Sequence, residues 1–441
     1  MKKSKNWRNF YKGWDIAMSE NVNLPDGWQK VKLSEIIEEV KERNITNNKE
    51  YPILTSSRKG IYIQEEYFNR VVASENLSNY KIIRKNEFTY RSMSDDQTFV
   101  FNRLELLEVG LVSPAYYVFK AKNSLSTFIK YFLNNSQEIK SQISKVIEGT
   151  TRTALRFNQV LKFVAMVPPL PEQRKIAEIL ETIDNAIEKT DAIIEKYKRI
   201  KQGLMQDLLT KGIDENGNIR DEKTHKFKDS PLGRIPEEWE VGYVSNFTEI
   251  NPITKINPKE LYPFIEMDAT PIMGKQYKYI TLRRGIEAGS KFKKGDILLA
   301  RITPSAENGK ALLVPDNIEI GIGSTEFIVF RAKENIDNNF LFYLLISNYV
   351  RSIAIGLMEG TSGRQRIPKY VFEKVIKVAI PKSKSEQQRI ASILSQIDEA
   401  IEKEQAYKEK LERIKKGLME DLLTGKVRVN HLIEEGNKDG N

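Results

Sequence analysis

The sequence predicts a mixed α/β protein: two related domains, each followed by one long helix, with the helices paired as an antiparallel coiled coil about a pseudo-twofold axis. Three observations lead there. Residues Glu172 to Thr210 recur without a gap as Glu386 to Thr424, and roughly 25 of the 39 positions agree, far beyond chance within one chain. Apolar residues in the first copy fall at Ile176, Ile179, Leu180, Ile183, Ala186, Ile187, Ile193, Ile194, Tyr197, Ile200, Leu204 and Leu208, the three-and-four spacing of a helix stripe, and the second copy repeats it from Ile390 to Leu422. Short β-rich runs bounded by turn formers precede each copy.

At 1.5 Å per residue such a segment makes a rod of about 58 Å, too long for one small domain to cover. The other copy is the natural partner. Identity at the polar positions Asp184, Glu188, Lys189, Lys201 and Asp207 favours pairing over two helices each buried in its own domain. Pro171 suits a first helical turn, where its missing N–H costs nothing, and Ser385 with Gln388 predicts a reciprocal cap. Gly212 and Gly425 sit where the helices should stop.

In chain order, residues 1–21 form a basic and aromatic tail, with Trp7, Phe10, Tyr11 and Trp14 among lysines and an arginine; it either docks on a partner or frays. The first domain, 22–170, opens with LPDGWQKVKLSEI. That phrase returns as IPEEWEVGYVSNF at the head of the second domain, 235–382, so the duplication extends beyond the helices. Strands are expected at YPILTSS, GIYIQ and AYYVFKA in one half and at YPFIEM, DILLARI and EFIVFRA in the other. Helical stretches follow, STFIKYFLNNSQEIKSQISKVI and NNFLFYLLISNYVRSIAIGLM, and each leads through Glu-Gly-Thr into a basic loop, Glu148 to Phe157 and Glu359 to Pro368. The central helix takes 171–212, an ordered but mostly exposed polar linker 213–234, the C-terminal helix 383–425 and a tail 426–441, expected to be disordered past about Val429.

The chain has 441 residues, 40% hydrophobic, with 70 Lys and Arg against 60 Asp and Glu, a net charge of +10 that favours a polyanionic partner. There is no cysteine, which removes disulfides, thiol catalysis and Cys-ligated zinc, and the two histidines, His225 and His431, lie in polar stretches. No run of 18 apolar residues exists and the first twenty residues lack a signal-peptide core, so a cytoplasmic location without membrane insertion is expected. Phosphate-loop, H-E-x-x-H, G-x-S-x-G and dinucleotide motifs are absent. Pro168-Pro169 lacks the flanking polar residue and aromatic of an amino-methyltransferase motif, and Asp95 with Asp96, or Glu266 with Asp268, read as solvated or structural carboxylates rather than a metal site.

The order domain, helix, domain, helix resembles the DNA-specificity subunit of Type I restriction-modification systems. PPLPEQRKIAEIL and KSEQQRIASIL at the helix starts, GLMQDLLTKGI and GLMEDLLTGKV at their ends, SPLGRIPEEWE, GDILLARI and IGSTEFIVF carry the resemblance over about residues 22 to 425. It implies a non-catalytic subunit whose two domains are target-recognition domains, each reading one half of a bipartite double-stranded DNA target, while the helices set the separation and seat two methyltransferase subunits. Restriction subunits join that core. No cofactor is implied on this chain; S-adenosylmethionine belongs to the methyltransferase subunit and ATP with Mg to the restriction subunit.

Two modules on one chain suit a split site, because the second contact is intramolecular once the first is made. The candidate DNA-binding residues are Arg58, Lys59, Tyr90, Arg91, Thr151 and Arg152 in the first domain, and Arg301, Thr303, Ser362, Arg364, Gln365 and Arg366 in the second. Arginine suits guanine and Gln365 suits adenine, while phosphate contact is open to each. Two other readings stand beside this one: a self-contained DNA-modifying or DNA-cleaving enzyme with an unrecognised active site, and a purely structural coiled-coil protein.

Overall fold

The computed structural model describes residues 24–68, 75–94, 96–147, 153–361 and 363–435. Its chain divides into two compact units, Met1–Lys189 with Lys408–Asn441, and Thr190–Tyr407. Each unit therefore joins one globular domain to the beginning of its own long helix and the end of the other.

In the first unit, strand Gln29–Lys32 pairs antiparallel with Val164–Val167, whose alternation buries Ala165 and Val167 and leaves Val164 and Met166 half-buried. An antiparallel sheet follows in the order Ile37–Val40, Tyr116–Ala121, Phe88–Arg91, Asn102–Arg103. A mixed sheet has the order Gly60–Ile63, Ile53–Ser57, Val109–Val112, Lys81–Arg84, with its two middle strands parallel. Helices Ser126–Asn135 and Gln137–Ile147 cover the first sheet with Phe128, Ile129, Phe132, Ile139 and Ile143. The core is completed by Ile176 and Leu180 from one long helix and Leu422 and Leu423 from the other.

The second unit repeats this plan. Strand Trp239–Tyr243 pairs with Lys377–Pro381. One sheet runs Thr248–Ile250, Phe327–Ala332, Ile297–Ala300, Ala311–Leu313; the other runs Thr281–Arg284, Leu261–Ile265, Ile320–Gly323, Ser290–Lys293, again with a parallel middle pair. Helices Asn338–Leu345 and Asn348–Gly356 follow, capped by Asp337 and Ser347, whose side chains accept the N–H groups of Phe340 and Val350. Leu208, Ile390, Ala391 and Leu394 of the long helices, with Leu209 just past the first of them, close its core. The ends of the two helix copies agree so well in sequence because each seals a core of the same plan.

The long helices are Leu170–Leu208 and Lys384–Leu423, of 39 and 40 residues. Asp184 pairs with Lys415 at 2.5 Å in one unit, and Lys201 with Asp398 at 2.5 Å in the other. Advancing along one helix retreats along its partner, which is antiparallel pairing. The buried seam is narrower than the stripe, since Ile193 and Ile200 are about two-fifths exposed: a two-helix pair covers a narrow face of each rod.

Three expectations change in detail. The second helix begins two residues earlier than the expected cap requires, so Ser385 lies inside it and Ser383 accepts the Glu386 N–H instead, at 3.4 Å. The chain just past Val429 is ordered, with Val429 buried and a short helix over His431–Glu435. A hairpin of Phe227–Ser230 and Gly233–Pro236 runs from the linker into the start of the second domain. Gly212 and Gly425 follow the helix ends with φ of 64° and 70°, and a Cβ at Gly212 would stand 2.6 Å from the Trp239 ring, so both conformation and space require glycine there.

Candidate nucleic-acid interface

In the second domain the candidate residues converge on one strand end. Just beyond Ile297–Ala300, Arg301 donates its backbone N–H to the Glu326 carbonyl (2.9 Å) and receives that of Ile367 (2.8 Å). Thr303 donates to the Gln365 carbonyl at 3.0 Å, and its hydroxyl accepts the Gln365 N–H at 3.1 Å. Glu359 and Arg366 exchange backbone hydrogen bonds of 2.9 and 2.8 Å. The basic loop is thus a ribbon stitched to the sheet rather than a free strand of chain.

Charge is arranged unevenly on that ribbon. The Arg366 guanidinium donates to Glu326 from Nε (3.0 and 3.1 Å) and Nη2 (2.7 Å), and this bond pushes its pKa above the usual arginine value. Arg301 stands 4.0 Å from the same carboxylate. Arg364 is exposed, with no side-chain partner among the described residues. Gln365 is half-buried. Ser362 lies outside the described residues.

The first domain builds the same scaffold with different side chains. Leu155 donates to the Ser92 carbonyl (2.9 Å), as Ile367 does to Arg301, and Ser92 donates through N and Oγ to the Ala115 carbonyl, as Arg301 does to Glu326. Strand Met93–Ser94 pairs with Thr153–Ala154. Arg58 is ion-paired with Asp96, which also accepts the Ser94 hydroxyl (2.9 Å). The Ser94 hydroxyl, then the Thr98 N–H and Arg58, hold the Asp96 carboxyl below the usual carboxylate range. Lys59 and Arg91 are exposed, Lys59 in the turn joining Ile53–Ser57 to Gly60–Ile63 and Arg91 at the end of its strand. Thr151 and Arg152, like Asp95, lie outside the described residues.

Tyr90 is corrected. Its side chain is fully buried, packed on the Phe101 and Tyr117 rings at centroid distances of 4.9 and 5.5 Å, and its hydroxyl donates to the Leu155 carbonyl at 3.1 Å. Burial pushes its phenol pKa far up, so it is a neutral core residue beneath the loop rather than a group offered to DNA.

Sequence reasoning missed two carboxylates that fix the helices to the domains. Glu172, 2% exposed, accepts the Trp28 indole N–H (3.1 Å) and two bonds from Arg428 (2.8 and 2.9 Å). Glu386 holds Trp239 (3.3 Å), the Ile213 N–H (3.2 Å) and Arg220 in the same manner. Beside them, Gln173 and Gln387 donate to the carbonyls of Pro168 and Pro381, each at 2.9 Å. The signal was present in the Glu-Gln that opens both helices and in the Trp of both domain-opening phrases. A cavity of about 820 Å³ in the second unit lies away from the ribbon, walled by Met205, Leu209, Ile235, Met273, Lys275 and Asp398. No helix among the described residues is long and apolar enough to cross a membrane.

Comparison with known proteins agrees with this architecture. The family model described as the Type I restriction modification DNA specificity domain matches twice, at residues 25–198 and 236–413. The MjaVIII specificity subunit of a Type I restriction enzyme from Methanocaldococcus jannaschii is 27% identical over 96% of this chain and 98% of its own length. The putative MjaX specificity subunit of the same organism is also 27% identical, over 95% and 98%. Among solved structures, the S subunit of the Type-I restriction-modification system from M. genitalium has a TM-score of 0.52 at 13% identity, covering 92% of this chain and 98% of that one, a likeness of fold. With two matches that together span well over half of its residues, the chain belongs to the Type I restriction modification DNA specificity family.

Proposed function

We propose that this chain recognises a bipartite duplex target, one half-site per domain, as the non-catalytic specificity subunit of a Type I restriction-modification complex. One observation carries the reading. The two domains share sheet order, strand pairing and the hydrogen bonds that anchor the basic loop, yet they differ where side chains project from that scaffold: Arg301 and Glu326 in one, Ser92 and Ala115 in the other. A duplicated frame with divergent projecting groups is what reading two different base sequences requires. The helix ends, where sequence is retained, serve what both halves have in common.

In this reading two methyltransferase subunits supply S-adenosylmethionine chemistry, one per half, and restriction subunits supply ATP- and Mg-dependent cleavage. The chain itself contributes position. Arg58, Lys59, Arg91 and the groups around the Arg301–Arg366 ribbon lie on the DNA side of each domain, with phosphate contacts setting orientation and one or two side chains reading bases.

The test is reconstitution. The purified chain with S-adenosylmethionine is expected to methylate no DNA, and to confer site-specific methylation once a methyltransferase subunit is added. Replacing Lys59 or Arg91 with alanine should lower the salt slope of DNA binding by about 0.9 for each phosphate that is no longer neutralised. Methylation by the chain alone would contradict the reading.

A further inference from the structure

We propose that, in the second domain, Glu326 is a positioning residue and Arg364 a specificity-determining one: Glu326 occupies Arg366 so that the ribbon holds Arg364 ready for a base edge. The inference rests on the DNA-recognition reading above and deepens it. Two arginines two residues apart in one basic loop look interchangeable in sequence; the structure separates them. Arg366 has its guanidinium committed to Glu326 through Nε at 3.0 Å and Nη2 at 2.7 Å. Arg364 has a hydrogen-bonded backbone and a side chain with no partner among the described residues. Its N–H donates to the Thr361 carbonyl at 2.9 Å, its carbonyl receives Arg366 Nη1 at 3.4 Å, and its neighbour Gln365 is bonded to Thr303 through both N–H and carbonyl. An exposed guanidinium on an immobilised backbone is pre-organised to meet guanine O6 and N7 with little further ordering.

Electrostatics alone would not place Glu326 here, since a carboxylate beside a phosphate-facing surface opposes DNA affinity. The fold does not require it either. The equivalent backbone bonds in the first domain form with Ser92 and Ala115 at these positions and no carboxylate. What Glu326 does supply is a second anchor for the ribbon, with Arg366 on one side and Arg301 at 4.0 Å on the other. The latch belongs to one domain because it serves the one half-site that domain reads.

The experiment uses the full chain with a methyltransferase subunit and measures binding to a panel of duplexes that vary each base of the methylated motif in turn. Arg364→Ala is expected to lose roughly 5- to 150-fold discrimination at one guanine position and to leave the other positions unchanged. Glu326→Gln is expected to blunt the same position while affinity for unrelated duplex DNA holds or rises, because a negative charge is removed and two guanidiniums are released. Glu326→Gln weakening all duplexes alike would mark a merely structural role and overturn the inference, as would either variant keeping full discrimination at every position. A wild-type complex with no base preference would sink the functional reading itself; a wild-type preference that both variants retain overturns this inference alone.

Discussion

Glu386→Ala is expected to destabilise the second unit by about 3–5 kcal/mol, the cost of removing one partner from a buried, hydrogen-bonded ion pair. Glu386 is 5% exposed and the Arg220 side chain 10%, so the variant leaves a guanidinium, the Trp239 indole N–H and the Ile213 N–H facing a void without an acceptor. Water reaches such a site poorly, and each abandoned donor adds its own desolvation cost. Urea unfolding followed by tryptophan fluorescence reads the change directly. The paired replacement Glu386→Leu with Arg220→Met should cost much less than the single variant, because two apolar side chains of similar volume need no counter-charge. Glu172→Ala is the counterpart in the first unit, where Trp28 and Arg428 lose the same acceptor. A single variant that unfolds at the parent's urea concentration would show the carboxylate to be dispensable.

Tyr90→Ala should cost the first unit about 3–5 kcal/mol, as aromatic-to-alanine replacements in packed cores do. The ring is fully buried between Phe101 and Tyr117, and the hydroxyl caps the Leu155 carbonyl at the base of the basic loop. Tyr90→Phe keeps the packing and loses one hydrogen bond, for about 0.5–1.5 kcal/mol, with DNA affinity unchanged. Denaturation and DNA titration of the same two proteins separate a core role from a binding role. A Tyr90→Phe protein that folds normally but binds DNA weakly would restore Tyr90 as a DNA ligand.

The long helices were legible because a strong 3.6-residue period and a second copy agreeing at roughly 25 of 39 positions point the same way, and the pairing of Asp184 and Lys201 with Lys415 and Asp398 shows why polar positions were retained too. Strand positions were legible from β-branched and aromatic runs between turn formers. Their shared sheet order was not. Nothing in Phe88–Arg91 resembles Ile297–Ala300, because a sheet fixes which strands neighbour each other by backbone pairing and tolerates many side-chain sets that fill its core. Tyr90 was misjudged for a related reason: Phe88, Thr89 and Tyr90 are all fully buried, so both faces of that strand are covered, and a basic residue at Arg91 gave a false impression of surface. Glu326 was invisible from sequence because its partner lies 40 positions away, across a loop whose basic residues suggested DNA rather than an internal ion pair. The Glu172 and Glu386 clamps were half visible. Their identity between copies was plain, but their arginines come from segments after the opposite helix ends, which only the fold brings near.

The central claim is that each domain reads its own half of a split target. Its most direct test is to map methylated sites in cells that carry this chain with a methyltransferase subunit, before and after residues 235–382 are replaced by the second domain of a relative. The expected result is a bipartite motif with two defined halves and a fixed gap, in which the exchange rewrites one half and leaves the other and the gap unchanged. A single uninterrupted motif, or an exchange that alters both halves together, would contradict it.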